Sequence, residues 1–265
     1  MTLKFCSFSS GSSGNCYLVK TDNTAILVDA GISGKKIMEG LERTSTSTDS
    51  LLALLVTHEH SDHTKSVKYL TKKYSGLTAF ANEKTWDAMG KTISEAQIGL
   101  FSTGETFCVG DIEVKSFSVS HDAADPVGFS FYKDGKQISI VTDTGYIGEE
   151  IIEEIKDADL LILEANHDMD MLRISKYPRF LKERVLGEKG HLSNIAAGQT
   201  LLRILKGIPK VRCVLLAHLS RENNFPEMAY QTIKNILEEE NYYIGKDIQL
   251  NTILRDEVSC IYCAY

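Results

Sequence analysis

Short apolar runs separated by turn-forming residues constrain the fold of this chain more than any other feature of its sequence. Runs of about four to eight residues rich in Val, Ile, Phe and Tyr, bounded by Ser and Gly, are typical of β-strands. They dominate the first half, whereas helical and strand patterns alternate after Gly145. The pattern predicts strands over residues 3–9, 16–21, 24–29, 51–57, 105–109, 112–120, 128–132, 137–142, 160–164, 211–217, 248–254 and 258–262. It predicts helices over residues 34–41, 66–74, 149–156, 194–206 and 226–239.

The composition indicates a globular α/β protein. Of the 265 residues, 43% are hydrophobic and 25% are charged, which excludes a disordered chain, a collagen and a long coiled coil. A chain of this length buries roughly 70–75% of its surface on folding and needs no covalent staple. The sequence has no internal repeat, low-complexity segment or linker. We therefore expect residues 1–265 to form a single domain, in which two β-rich halves are packed together with helices outside.

The charge balance limits the partners that the chain can attract. It carries 29 Lys and Arg against 36 Asp and Glu, a net charge of −7, so a contact with a polyanion requires a local basic patch. A membrane span is not expected, because there is no run of about 20 apolar residues. The first residues also lack the charged and apolar regions of a signal peptide. We expect the cytoplasm, where the six cysteines would stay reduced.

Four residues of metal-ligand type lie within six positions, directly after the predicted buried strand that ends at Val56. His58 and His60 are two residues apart, so on an extended segment their side chains point the same way. Asp62 and His63 lie beyond them, where a turn can direct them to a second point. A single histidine is usually a core or surface residue. Four such residues in one short segment favour a metal site instead.

Further candidate ligands follow three predicted strands downstream. His121, Asp143 and His218 each come at the end of a strand, and strands that share a direction deliver their ends to one edge of a sheet. Taken alone, Asp143 could form a turn and His218 could cap a helix. Together with the first cluster they make five His and two Asp, a set that suits zinc or manganese without a thiolate. This is enough for two ions if one Asp bridges them, and ions about 3.5–4 Å apart can clamp a phosphoryl group.

This set of residues resembles the metallo-β-lactamase fold, an αββα four-layer sandwich of two β-sheets with helices on both outer faces. Asp29, in the segment Leu27-Val28-Asp29-Ala30-Gly31, matches the first motif of that family. The resemblance implies a first metal held by His58, His60 and His121, a second held by Asp62, His63 and His218, and a bridging Asp143. It also implies that Asp62 orients the attacking nucleophile or takes up its proton. The fold is much less specific for the substrate.

Two later segments indicate which reaction the fold supports. An Asp at the bridging position resembles the dinuclear hydrolases, whereas the secreted lactam-cleaving enzymes commonly have Cys there. Residues 163–168 and 190–194 resemble ribonuclease Z-like phosphodiesterases, in which a Glu at a strand end pairs with a His before a helix. The resemblance implies that Glu164 orients His191 and that His191 donates a proton to the leaving oxygen, which an alkoxide requires. The alternative is that His191 only caps the helix that begins at Asn194.

A local basic segment, residues 173–189, lies between Glu164 and His191. Its cations outnumber its anions, and two aromatic residues, Tyr177 and Phe180, lie among them. Such a segment suits phosphates and stacked bases, although a run of charge is usually only a solvated helix face. For His167, a contact with a phosphate or a metal-bound water and a structural role stay equally open. The candidate substrate-binding residues are His167, Arg173, Lys176, Arg179, Lys182, Ser193 and Asn194.

Three segments taken together resemble the YycJ/WalJ-type family, whose members are similar to 5′-exonucleases acting on DNA. They are residues 9–15, 164–168 and 190–194. The resemblance implies a dinuclear metal-dependent phosphodiesterase that degrades DNA from 5′ to 3′. The interval from Asp143 to His218 is too short for the β-CASP domain of larger nucleases. Two alternatives stay open: a small-molecule metallo-hydrolase, such as a thioesterase or cyclic phosphodiesterase, and a non-catalytic metal-binding regulatory module. The oligomeric state is not predicted.

Overall fold

The computed structural model describes residues 2–90, 92–207 and 213–264. In these ranges the strands are β1 (Lys4–Ser9), β2 (Cys16–Lys20), β3 (Ala25–Val28), β4 (Leu51–Leu55), β5 (Thr78–Ala81), β6 (Ile98–Leu100), β7 (Thr106–Val109), β8 (Ile112–Ser118), β9 (Val127–Lys133), β10 (Lys136–Val141), β11 (Leu160–Glu164), β12 (Cys213–Ala217), β13 (Gln249–Thr252) and β14 (Tyr262–Cys263). The helices are α1 (Gly34–Arg43), α2 (Ser61–Thr64), α3 (Val67–Lys73), α4 (Glu83–Met89), α5 (Glu149–Ile155), α6 (Met169–Ile174), α7 (Arg179–Leu186), α8 (Asn194–Leu205) and α9 (Pro226–Glu239). Residues 211 and 212 of a predicted strand lie outside the described ranges.

The strands of the described ranges form two mixed sheets of seven strands each. The first has the order β14-β1-β2-β3-β4-β5-β6, and the second has the order β13-β12-β11-β10-β9-β8-β7. In the first sheet β3 to β6 run parallel, and in the second β10 to β13 run parallel. Strand β8 has the same direction as β10, because both are antiparallel to β9. Several strands therefore end at the same edge of each sheet, where ligands of open α/β sheets commonly bind.

Three apolar clusters arrange the sheets and helices in four layers. The central cluster lies between the sheets and joins Phe5 and Val28 of the first to Phe129 and Ile140 of the second. One outer cluster packs α1, α3 and α4 on the first sheet, where Trp86 is completely buried. The other packs α5, α8 and α9 on the second sheet. This arrangement confirms the predicted αββα sandwich.

Local sequence signals explain several element boundaries. Asp134 and Gly135 have φ values of 49° and 74°, as expected of the tight hairpin turn that an Asp-Gly pair favours between β9 and β10. The Ser33 hydroxyl accepts a hydrogen bond from the Lys36 backbone N–H and caps α1. Pro226 occupies the first turn of α9, where its missing N–H has no cost. No helix in the described part of the chain is both long and apolar enough to cross a bilayer.

The structure departs from the predicted elements at the unpredicted helices α2, α6 and α7 and in two further places. The predicted strand over 258–262 is wrong except at Tyr262. Ser7 N–H donates to the Ser259 side-chain oxygen at 3.0 Å, so a hydroxyl replaces a backbone acceptor there and the ladder does not extend. Between residues 78 and 100, β5, α4 and β6 were not predicted. These elements have only four, seven and three residues, too few to show a clear periodicity.

Candidate metal centre

Three polar residues at strand ends adopt the left-handed conformation that non-glycine residues rarely take. Asp29 follows β3, Asp143 follows β10 and His218 follows β12, with φ values of 61°, 57° and 56°. This conformation costs about 1–2 kcal/mol per residue. Its effect is to turn the chain sharply at the sheet edge just after the last paired residue. All three side chains are buried at that edge.

The first group of candidate ligands consists of His58, His60 and His121. Their ligand atoms lie within 4.8 Å of one another, and His58 Nε2 is 3.0 Å from His60 Nδ1. His121 Nδ1 lies 3.1 Å from the Gly190 carbonyl oxygen, which requires an N–H on Nδ1 and leaves Nε2 free. Burial lowers the pKa of both His58 and His121, so these rings are neutral and can donate a lone pair. The three histidines therefore present nitrogens to a common point.

The second group consists of Asp62, His63 and His218, whose ligand atoms also lie within 4.8 Å of one another. Asp29 Oδ2 is 2.7 Å from His63 Nδ1, and Asp29 Oδ1 accepts the Thr57 backbone N–H at 2.9 Å. Burial lowers the pKa of His63, but the carboxylates of Asp29, Asp143 and Asp62 outweigh it and raise that pKa to about 10. Asp29 thus fixes the ring so that Nε2 points to the second group.

Asp143 lies between the two groups. One of its oxygens is 3.5 Å from His63 Nε2, and the other is 3.5 Å from His218 Nε2 and 4.0 Å from His121 Nε2. Burial would raise the pKa of this carboxyl, but the surrounding histidines hold it well below its usual range. Asp143 Oδ2 and His218 Nε2 are buried and have no hydrogen-bond partner in the described residues. Buried polar atoms without a partner are costly, and a bound cation would satisfy both. The donor set therefore fits divalent metal ions.

Glu164, at the end of β11, contacts two histidines. Its Oε1 is 2.8 Å from His191 Nδ1 and 2.9 Å from His218 Nδ1, and its Oε2 accepts the Thr144 backbone N–H at 2.8 Å. Burial raises the pKa of Glu164, but His191 and His218 lower it to about 2. Burial lowers the pKa of His191, but Glu164 outweighs it and raises that pKa to about 9. His191 can therefore carry a proton on Nε2, and its side chain is 19% exposed.

Gly31 allows the loop after β3 to pack closely against the segment that carries Asp62 and His63. A Cβ on Gly31 would lie 1.5 Å from the Asp62 carbonyl oxygen and 2.8 Å from the Asn15 nitrogen. That nitrogen donates to the same Asp62 carbonyl at 2.8 Å, and the Ala30 N–H donates to the His63 carbonyl at 2.7 Å. The loop after β3 and the segment around α2 are thus tied together by backbone bonds, which only glycine at position 31 permits.

Most of the predicted substrate-binding residues already have partners within the protein. Ser193 caps α8 by accepting the Ala196 N–H at 3.1 Å, and the Asn194 amide exchanges hydrogen bonds with Asn224. His167 is buried, and neither of its ring nitrogens has a partner among the described residues. Burial lowers the pKa of His167 to about 4.

The basic segment lies outside the ligand groups, and several of its cations form internal bonds. Arg179 pairs with Glu183 at 2.7 Å, and Lys182 Nζ donates to the Arg173 carbonyl at 2.6 Å. Arg173 itself pairs with Asp170. The end of this segment is connected to the site, because Arg184 pairs with Asp122. Two large apolar side chains are exposed on the segment, Ile174 at 86% and Phe180 at 71%.

Several residues that position the ligands were not predicted from the sequence. The Asn15 amide nitrogen is 3.0 Å from His63 Nε2, and the Ser10 hydroxyl accepts the His218 backbone N–H at 2.8 Å. Asp122 Oδ1 lies 3.3 Å from His121 Nε2. Asn15 and Ser10 belong to the Ser- and Gly-rich segment 9–15, which resembles the same segment of the YycJ/WalJ-type family but gave no role to either residue.

Comparisons with known proteins agree with this geometry. The sequence model of the protein family described as the beta-lactamase superfamily domain matches residues 24–219 of this chain. Exodeoxyribonuclease WalJ of Streptococcus pneumoniae is 40% identical over 252 residues, which cover 93% of each chain. Exodeoxyribonuclease YycJ of Bacillus anthracis is 39% identical over 254 residues, which cover 95% of each.

Solved structures show the same fold at low sequence identity. The metallo-β-lactamase fold protein YhfI of Bacillus subtilis superposes with a TM-score of 0.75 at 15% identity, covering 99% of this chain and 100% of that one. The short form of human tRNase Z superposes with a TM-score of 0.60 at 18% identity, covering 82% and 93%. By its domain match and its sequence identity, the chain belongs to the metallo-β-lactamase superfamily and, within it, to the family of the exodeoxyribonucleases WalJ and YycJ.

Proposed function

We propose that this chain is a metal-dependent exodeoxyribonuclease that hydrolyses phosphodiester bonds from the 5′ end of a DNA strand. The observation that carries the proposal is the position of Asp143 between two groups of ligand-type residues, with the paired Glu164 and His191 beside them. The names of the relatives at 39–40% identity support a DNA substrate. We also propose that residues 1–265 form one domain without a β-CASP insertion, and that it acts in the cytoplasm.

We propose two divalent ions, zinc or manganese, as the cofactor. His58, His60 and His121 would hold the first, Asp62, His63 and His218 the second, and Asp143 both. When bound, such ions stabilise the charge that develops on a phosphoryl group and lower the pKa of water. Asp62 has a side chain that is 29% exposed, so it can also orient the attacking water or accept its proton.

Glu164 and His191 are proposed to serve the leaving group. The carboxylate holds Nδ1 of the ring, so the proton on Nε2 is the one available to the leaving oxygen. The same carboxylate holds His218 Nδ1, which gives Glu164 a second role in positioning a metal ligand. Glu164→Gln is therefore expected to disturb the metal site as well as proton transfer.

The basic segment is the proposed contact for the rest of the DNA. Exposed Phe180 offers an aromatic face on which a base can stack, with exposed Ile174 as further apolar surface, and Arg173, Lys176, Arg179 and Lys182 are proposed to contact phosphates. The internal partners of Arg173, Arg179 and Lys182 are mostly exposed and can be exchanged for phosphate. Contacts of His167, Ser193 and Asn194 with substrate stay predictions.

The activity is tested on end-labelled single- and double-stranded DNA with added manganese or zinc. We expect stepwise shortening from the 5′ end that a chelator abolishes and that Asp143→Ala prevents. Shortening from the 3′ end would contradict the proposed polarity alone. Cleavage of thioesters or cyclic nucleotides without any cleavage of DNA would support the small-molecule hydrolase. Metal binding without hydrolysis of any of these substrates would support the regulatory module.

The metal assignment predicts the ion content of single variants. The parent should bind about two equivalents after reconstitution, as measured by inductively coupled plasma mass spectrometry. His58→Ala should lose about one equivalent because it belongs to one group, whereas Asp143→Ala should weaken both sites. His167→Gln is the control, since His167 lies outside the ligand groups and should keep the parental content. A parent protein that binds no metal would contradict the assignment.

The basic segment predicts a change in the salt dependence of DNA binding. Replacing both Arg179 and Lys182 with Gln should weaken binding and flatten the slope of log K against log salt by about 0.7–0.9 for each phosphate that is no longer neutralised. The metal content should not change. The control is the pair Arg203→Gln and Lys234→Gln on the outer helices, which should keep the parental slope. An unchanged slope in the Arg179 and Lys182 variant would mean that this segment is only a solvated face.

The proton-donor role predicts a dependence on the leaving group. His191→Ala should lower kcat on DNA by roughly 10²–10⁴ with little change in DNA binding or metal content. A nitrophenyl phosphodiester has a good leaving group that needs no proton, so the variant should cleave it at nearly the parental rate. Equal losses on both substrates would indicate that His191 instead positions the substrate or supports the metals.

A further inference from the structure

We infer that Arg255 binds a non-scissile phosphate of the DNA strand, next to the second group of candidate ligands. This inference rests on the proposed function. Arg255 follows β13 in a loop that no sequence motif connects with the site. It is half-buried, and its guanidinium Nη2 donates to the Leu219 carbonyl at 2.7 Å. Leu219 directly follows His218, so the cation lies one residue from a candidate metal ligand.

The backbone of Arg255 is fixed to the Ser- and Gly-rich loop of the site. Its carbonyl oxygen accepts hydrogen bonds from the Ser9 hydroxyl at 2.7 Å and from the Ser10 backbone N–H at 3.1 Å. The Ser10 hydroxyl in turn accepts the His218 backbone N–H. The backbone of Arg255 is thus linked to His218 through Ser10, and its side chain is linked to the neighbouring Leu219 carbonyl. A cation that is held in place in this way binds an anion with less loss of entropy.

Gly11 provides the space for the guanidinium. A Cβ at this position would lie 3.1 Å from Arg255 Nε and 3.2 Å from Arg255 Cγ, and the glycine has a φ of +147°. Arg255 Nε is buried and has no hydrogen-bond partner in the part of the chain that the structure describes. An arginine has five N–H donors, and with Nε buried and one Nη2 hydrogen bonded to Leu219, the other Nη hydrogens are the donors left for an anion.

The charge of Arg255 is not neutralised in the way that other arginines of this chain are. Arg173, Arg179 and Arg184 each form an ion pair with a carboxylate. For Arg255 the described residues contain no such pair, and the neighbouring Asp256 lies 4.0 Å from Lys36 Nζ. Asp256, Arg221, Tyr177 and Glu222 act on it electrostatically, but none of them forms an ion pair with it among the described residues. A fixed guanidinium without a carboxylate partner suits phosphate, which it can bind through two parallel N–H bonds.

Arg184 and Arg255 are tied to residues next to different ligand groups. Arg184 is tied to Asp122 beside His121 in the first group, whereas Arg255 is tied to Leu219 beside His218 in the second. A strand whose scissile phosphate lies at Asp143 would therefore meet the unpaired guanidinium of Arg255 next to the second group. A chain with a net charge of −7 can bind a polyanion in this way, because local cations act within the screening distance of about 8–10 Å. The phosphate at Arg255 can be the terminal phosphate of the strand or an internal phosphodiester, since both present the same oxygens.

The test compares Arg255→Met, Arg255→Lys and the control Arg203→Met on two oligonucleotides that differ only in a phosphate at the degraded end. Arg203 is a matched control because it too donates to a backbone carbonyl, that of Ile147, but on the outer helical layer. Cleavage kinetics are measured with metal, and binding is measured by fluorescence anisotropy after chelation. Metal content and thermal unfolding are recorded for each variant. Degradation of DNA by the parent tests the proposed function separately.

We expect Arg255→Met to raise KM and the dissociation constant about 10- to 100-fold with kcat and metal content unchanged, because the variant cannot form charge-assisted hydrogen bonds to phosphate. A weakening confined to the phosphorylated oligonucleotide would assign the terminal phosphate. An equal weakening on both, with a salt slope lower by about 0.7, would assign an internal phosphodiester. Arg255→Lys should give a smaller effect and serves as the test if Arg255→Met does not fold. Parental binding in both variants, or a loss of metal with unchanged binding, would overturn the inference.

Discussion

The hydrogen bonds of the buried Asp29 carboxylate to Thr57 and His63 are the interaction on which the rest of the site depends. The carboxylate is completely inaccessible to solvent, and a charge in that position is tolerated only if its oxygens are hydrogen-bonded. Thr57 and His63 supply those bonds, and both belong to the segment that carries the candidate ligands. Satisfying one buried carboxylate therefore fixes the end of β3, the end of β4 and the ring of His63 relative to one another. Gly31 allows the backbone of the two segments to meet at the same place.

The second sheet contains a counterpart to Asp29. Glu164 is also completely buried and holds Nδ1 of His218, as Asp29 holds Nδ1 of His63. Each sheet thus provides one carboxylate that fixes the tautomer of one histidine in the second ligand group. Two histidines of the first group have neutral oxygens at Nδ1 instead, the Thr57 hydroxyl for His58 and the Gly190 carbonyl for His121. Because a carboxylate partner makes an imidazole a more basic ligand, the two groups differ electrostatically.

The sequence by itself determined the parts of this protein that depend on local pattern. Strand and helix periodicity predicted most elements of both sheets, the Asp134-Gly135 hairpin and all of α9. The clustering of His58 to His63 after a buried strand, with His121, Asp143 and His218 at later strand ends, predicted a common site, and the structure places their ligand atoms in groups within 4.8 Å. These signals can be recognised in the sequence because they depend on residues only a few positions apart, or on strands that share a direction.

Only the tertiary structure decided which side chains share a partner. The family resemblance implied the contact of Glu164 with His191, but its second contact, with His218, 54 positions away, follows from the order of β11 and β12 in the sheet. Ser193 and Asn194 are engaged by α8 and Asn224, and Lys182 is engaged by a backbone carbonyl. Arg255 lies against Gly11 and Leu219 because its loop follows β13 beside β12, although it is 244 positions from Gly11 in the chain. Such pairings are fixed by the order in which strands distant in sequence lie side by side, and local periodicity does not predict that order.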